Sequence, residues 1–267
     1  VFSIYIGIGV RQRMILVKRL ESRSKLYYSA ASGIHKAIMV IDQARGLSGS
    51  ALVPRTKAIL MNNGEDLSNI ELNGATAEIV YHFFDKTLNQ NKKQYGMIDE
   101  ASKININFAS KRILTRLFQV VLSWDVERAE KLALAIIDWR TSGDSSLKGF
   151  FSDEYYKTLK HPYAPKNASF EILDEALLVE GMDAEILNRL RDFITVYGDG
   201  RVNVNTVSFE VLRALGFDEA LSAKLVEKCM GPDGIQGTFD DYVFESEGGF
   251  VTLLQLSSAA AENDVLY

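Results

Sequence analysis

Between Arg13 and Ala44 the chain runs without a proline, and its apolar residues Leu20, Tyr27, Ala30, Ile34, Ala37, Ile38 and Ile41 recur at spacings of three, four and seven. That recurrence is the signature of one face of an α-helix, with Lys25 and Lys36 set off the stripe and Gly46 as the stop. The pattern predicts a single long helix over residues 1–45. Whatever else folds here has to pack along it.

The helix opens on VFSIYIGIGV, which carries no charge, and then meets Arg11, Arg13, Lys18 and Arg19. Ten helical residues span about 15 Å, roughly half the hydrocarbon thickness of a bilayer. The stub is too short to cross a membrane by itself. It reads as the remainder of a membrane anchor whose first part precedes Val1; a buried strand or helix end is the competing reading.

After the helix the texture changes to short alternating segments. TKAILM (56–61), LSNIEL (67–72) and ATAEIVYHFF (75–84) read as strands, with NNGED and Asn73-Gly74 as turns between them. Three adjacent strands predict an antiparallel meander covered on one face by the long helix, an α+β arrangement over residues 46–98.

From Asp99 helical patterns dominate and the chain repeats itself. KININFASKRIL (103–114) aligns without gaps on RVNVNTVSFEVL (201–212), and ASFEIL (168–173) repeats the helix-start portion. Each unit is a short extended piece, a polar cap and an apolar-periodic helix. Two stretches, LLVEGMDAEILNRL (177–190) and LRALGFDEALSAKLVEK (212–228), add a Gly-apolar-Asp turn between two helices, the layout of a helix-hairpin-helix module. In DNA-binding hairpins a second glycine leaves backbone amides open to a phosphate. Asp183 and Asp218 stand at that position here, where a carboxylate caps the helix and repels phosphate.

A formal charge of −5 and a pI near 5.4 also argue against a nucleic-acid partner. Cys229 is the one thiol, so no intrachain disulfide forms, and His35, His82 and His161 are far apart. No nucleophile elbow, phosphate-cradling loop or His-Glu-x-x-His is present. The chain reads as a non-enzyme that requires no cofactor. Two acidic groupings have the oxygen chemistry calcium uses: Asp233, Asp240 and Asp241 in GPDGIQGTFDDY (231–242), and Asp138, Asp144 and Glu154, with Asp153, around a loop after a helix. Neither has EF-hand spacing, and solvated acidic loops are the competing reading.

Several stretches, in order, carry a family resemblance: YYSAASGIHKAI, MIDEASKININFAS, LALAIIDWRTSGD, EYY, HPYAPKNASFEILDEALLVEGM and ITVYGDGRVNVNTVSFEVLRALG. They resemble the K minor pseudopilins of bacterial type II secretion, the GspK family. RTSGD departs from the denser acidic run usual there. The resemblance implies an α+β, type IV pilin-like fold, in which the N-terminal helix packs on an antiparallel sheet. A large all-helical domain with SAM-like or helix-hairpin-helix-like repeats is inserted at 99–230, and 231–267 form an acidic loop and return strands. It implies a tip subunit that starts assembly and caps the fibre with the I and J minor pseudopilins. It further implies contact with the inner-membrane assembly platform, an N-terminal helix held in the inner membrane before assembly, a globular part in the periplasm, and calcium in some members. The partner-binding residues expected on the helix are Tyr27, Ala30, Ile34, Ile38 and Ile41. The alternative is a membrane-associated, competence-type hairpin protein that binds DNA.

Overall fold

The computed structural model describes residues 2–48, 54–72, 75–85, 90–141 and 153–244. The chain divides into two compact units, one made of Val1–Ile98 and Ile235–Asp241, the other of Asp99–Gly234 and Tyr242–Tyr267. The expected return strands beyond residue 244 lie outside the described residues.

In the first unit, α1 (Phe2–Ser48) is one unbroken helix that continues through the uncharged stub. It packs on α2 (Pro54–Met61), β1 (Ile70–Leu72) and β2 (Ala75–Ala77). The packing side is a row of small residues, with Ser29, Gly33, Val40 and Ala44 buried at helical spacing. A Cβ built on Gly33 would stand 3.4 Å from the Ala77 Cβ, so small side chains set the close approach of helix and hairpin.

The expected meander is corrected in three respects. TKAILM is not a strand: it belongs to α2, where Pro54 supplies the fixed φ suited to a first helical position. NNGED is not a plain turn, because Asn63 caps a one-turn helix, α3 (Gly64–Leu67), by accepting the Asp66 amide at 3.1 Å. ATAEIVYHFF is two strands, β2 and β3 (Val80–Asp85), and β3 pairs with β4 (Gln90–Tyr95), whose polar QNKKQY gave no alternating signal. Among the described residues these strands form two antiparallel pairs, β1 with β2 and β3 with β4. In the first, Leu72 pairs with Ala75; the expected Asn73-Gly74 turn lies outside the described residues.

The C-terminal carbonyls of α2 have no partner inside their own helix, and β3–β4 supplies them. Met61 O accepts the Tyr81 hydroxyl at 3.0 Å and the Gln94 amide at 3.3 Å, and Leu60 O accepts the Met97 amide at 2.8 Å. Gly96 is obligatory at this junction, since a Cβ there would fall 2.3 Å from Met61 O.

The second unit holds the larger core, assembled from α4 (Lys111–Leu122), α5 (Val126–Arg140), α6 (Asp153–Thr158), α7 (Ala184–Leu190), α8 (Phe209–Leu215) and α9 (Glu219–Met230). The first limb of the hairpin at 177–190 is a 3₁₀ turn over Leu173–Leu178 rather than an α-helix. A short parallel pair, β5 (Ile104–Asn105) with β6 (Ile194–Thr195), ties the start of the first repeat to the end of α7. The Arg140 guanidinium, at the end of α5, donates to Ile106 O and to Ala109 O.

The asparagines of the repeat do corresponding jobs. Asn105 Oδ1 accepts the Asn107 amide at 2.9 Å, and Asn203 Oδ1 accepts the Asn205 amide at 3.0 Å. Asn107 then brackets the backbone of Phe170, accepting its N–H at 2.8 Å and donating to its carbonyl at 3.0 Å. Asn205 does the same for Phe244 at 2.7 and 3.1 Å. Ser110 and Ser208 cap α4 and α8.

Candidate partner surface and acidic loop

The stripe that defined α1 in the sequence faces away from its own unit. Tyr27 is 69% exposed, Ile34 63% and Ile38 48%; Ala30 is exposed and Ile41 half-buried. At about 100° per residue the centre of this stripe lies about 110° round the helix from the buried row of Ser29, Gly33, Val40 and Ala44. Leu20, Leu26, Tyr28 and Met39 are exposed too. Of these only Leu20 lies on the stripe itself; an aligned apolar row left open to water is the kind of surface that a protein or membrane contact covers. Pattern reading found the stripe but missed the inward row, whose residues are too small and too mixed in polarity to register.

The hairpin turns carry the expected caps. Asp183 Oδ1 accepts the Ile186 amide at 2.8 Å and Asp218 Oδ1 accepts the Leu221 amide at 2.8 Å. Gly216 takes the left-handed conformation that ends α8. Each helix N-terminus therefore holds a carboxylate of its own at the place where a phosphate would sit.

Of the proposed calcium ligands, Asp138 is half-buried on α5 and Glu154 falls within α6, while Asp144 lies outside the described residues. Asp233 is exposed in the second unit. Asp240 and Asp241 fall in the first unit and meet around Thr238, whose hydroxyl lies 2.6 Å from Asp240 Oδ1 and 3.0 Å from Asp241 Oδ1. The two differ sharply in setting. Asp240 is exposed, whereas Asp241 is buried and forms a 2.6 Å ion pair with Lys57 of α2, both side chains fully inaccessible. Nothing in the sequence links Lys57 to Asp241.

These features define a pilin-like fold, with one long helix laid on small antiparallel strand pairs and a large helical unit that begins after Ile98. Residues 87–199 match the family described as "Type II secretion system (T2SS), protein K". The fold is similar to that of a chain in the crystal structure of the GspK-GspI-GspJ complex from the enterotoxigenic Escherichia coli type 2 secretion system. The TM-score is 0.64 at 16% identity, covering 93% of this chain and 83% of that one. No curated protein sequence matches the chain.

Proposed function

We propose that the chain is a non-enzymatic structural subunit of a type II secretion pseudopilus, placed at the fibre tip with I and J minor pseudopilins. Its role is to start assembly and to cap the fibre during secretion across the outer membrane. The observation that carries this reading is the exposed apolar stripe of α1, which is separate from the face that α1 uses on its own unit. Helices of sister subunits laid along Tyr27, Ile34 and Ile38 would bury that surface at about 25 cal/mol per Å². In this proposal the helical unit, which begins after Ile98, supplies the bulk that would keep a further subunit from adding.

Among the described residues no helix is long and apolar enough to cross a membrane. In this proposal the uncharged residues at the start of α1, followed by Arg11 and Arg13, belong to the part of the helix held at the inner membrane before assembly, with the platform of the secretion system as its partner there. The globular units lie in the periplasm.

The test is co-purification. The Ile34→Asp/Ile38→Asp double substitution should abolish recovery with the I and J partners while leaving the chain folded, because both side chains are exposed. Undiminished recovery would contradict the proposal.

A further inference from the structure

The resemblance implies calcium in some members, and the carboxylates of the 231–242 loop have the oxygen chemistry for it, but Asp241 does not fit calcium as a ligand. Calcium takes six to eight oxygens at about 2.3–2.6 Å, with carboxylates as its principal anionic donors. Asp241 Oδ2 already accepts the Lys57 ammonium at 2.6 Å and the Gly237 amide at 2.8 Å. Its Oδ1 accepts the Thr238 amide at 3.3 Å, with the Thr238 hydroxyl at 3.0 Å. Both oxygens are therefore engaged by donors from its own unit, and the innermost of these is a full positive charge. An ion ligated by Asp241 would displace that ammonium or sit beside it, and two cations around one buried carboxylate repel.

We infer that the Lys57 ammonium is the resident cation of the 235–241 loop, standing where a metal ion would stand on Asp241, and that Asp241 is closed to calcium. Burial supports this. Neither a lysine nor an aspartate is stable in full burial without a partner, so each side chain explains the depth of the other. The seat of the loop is also built without an ion. Gly237 sits at φ +86°, and a Cβ on it would fall 2.8 Å from the Met61 Cβ, so the loop backbone is pressed onto the end of α2. Gln94 of β4 donates to Gln236 O at 3.3 Å and to Met61 O, joining loop, helix and hairpin with one side-chain amide. Lys57 reaches Asp241 from α2, the helix on which the loop rests.

The experiment compares thermal midpoints of the full chain in millimolar calcium and in EDTA. Any rise of the wild-type midpoint with calcium should persist in Asp241→Asn. Lys57→Met should lower the midpoint by several degrees, and the double variant Lys57→Met/Asp241→Leu, which removes both charges, should regain most of that loss. A wild-type rise with calcium that disappears in Asp241→Asn would overturn the inference, as would losses in the double variant that simply add. A calcium rise retained in Asp241→Asn would place the ion on other carboxylates and support the closure of Asp241. If Asp241→Asn fails to fold, calcium is titrated into the double variant: binding equal to wild type supports the inference, and binding lost from wild-type level overturns it.

Discussion

Asn107 and Asn205 hold two distant backbone segments by the same pair of hydrogen bonds: each side-chain amide accepts from and donates to one phenylalanine, Phe170 in the first case and Phe244 in the second. A side-chain amide here reproduces the two bonds of a β-bridge. The similarity of residues 103–114 to 201–212 thus has a physical content, since each copy carries one asparagine to shape its own turn and one to capture an incoming strand-like residue.

Asn205→Ala should therefore remove two hydrogen bonds to the backbone of the buried Phe244. A hydrogen bond contributes about 0.5–1.5 kcal/mol net, so losing two should cost about 1–3 kcal/mol in total. Denaturant titration of the full chain measures it. Asn205→Asp keeps the acceptor for the Phe244 amide but sets a buried carboxylate against the Phe244 carbonyl, so it should lose at least as much as the alanine variant; a smaller loss would contradict the two-bond account.

Asp183→Ala and Asp218→Ala remove the side-chain caps of α7 and α9. Each should cost about 1 kcal/mol, the usual value of an N-cap. The same carboxylates turn phosphate away, so the wild-type chain should show no retention of duplex DNA in a gel shift at low salt. Retention that falls steeply with salt would instead signal phosphate contacts.

Alkaline stability should depend on Tyr81. Its hydroxyl donates to Met61 O, and burial pushes the phenol from 10.0 up to about 12. As pH rises past 10 the unfolded chain releases this proton first and holds fewer protons than the folded one, so stability falls between about pH 10 and about pH 12. At about 1.4 kcal/mol per pH unit the loss approaches 2–3 kcal/mol. Denaturant midpoints across that range should fall less steeply for Tyr81→Phe; identical slopes would contradict the assignment.

Several elements were legible in the sequence because their signal is local. The proline-free stripe marked α1, and Gly-apolar-Asp marked the caps at Asp183 and Asp218. Other elements were not, for equally physical reasons. TKAILM alternates apolar and polar residues as a strand does, yet Pro54 and tertiary packing make it helical. β4 is a polar strand whose pairing with β3, rather than its composition, defines it. The apolar stripe of α1 points outward because the inward face was made of small residues, and hydrophobic pattern reports size and polarity, not direction. The Lys57–Asp241 pair joins positions far apart in the chain and leaves no local trace.

The central claim is that α1 serves its own unit with one face and partner helices with another. The most direct measurement is the affinity of the full chain for the I–J pair alongside its thermal midpoint, for Ile34→Asp and Gly33→Leu. The outward variant should lose partner affinity at least tenfold with an unchanged midpoint. The inward variant, whose side chain would run into the hairpin at Ala77, should lower the midpoint. Full I–J affinity in Ile34→Asp, or a midpoint loss as large as that of Gly33→Leu, would contradict the two-face account.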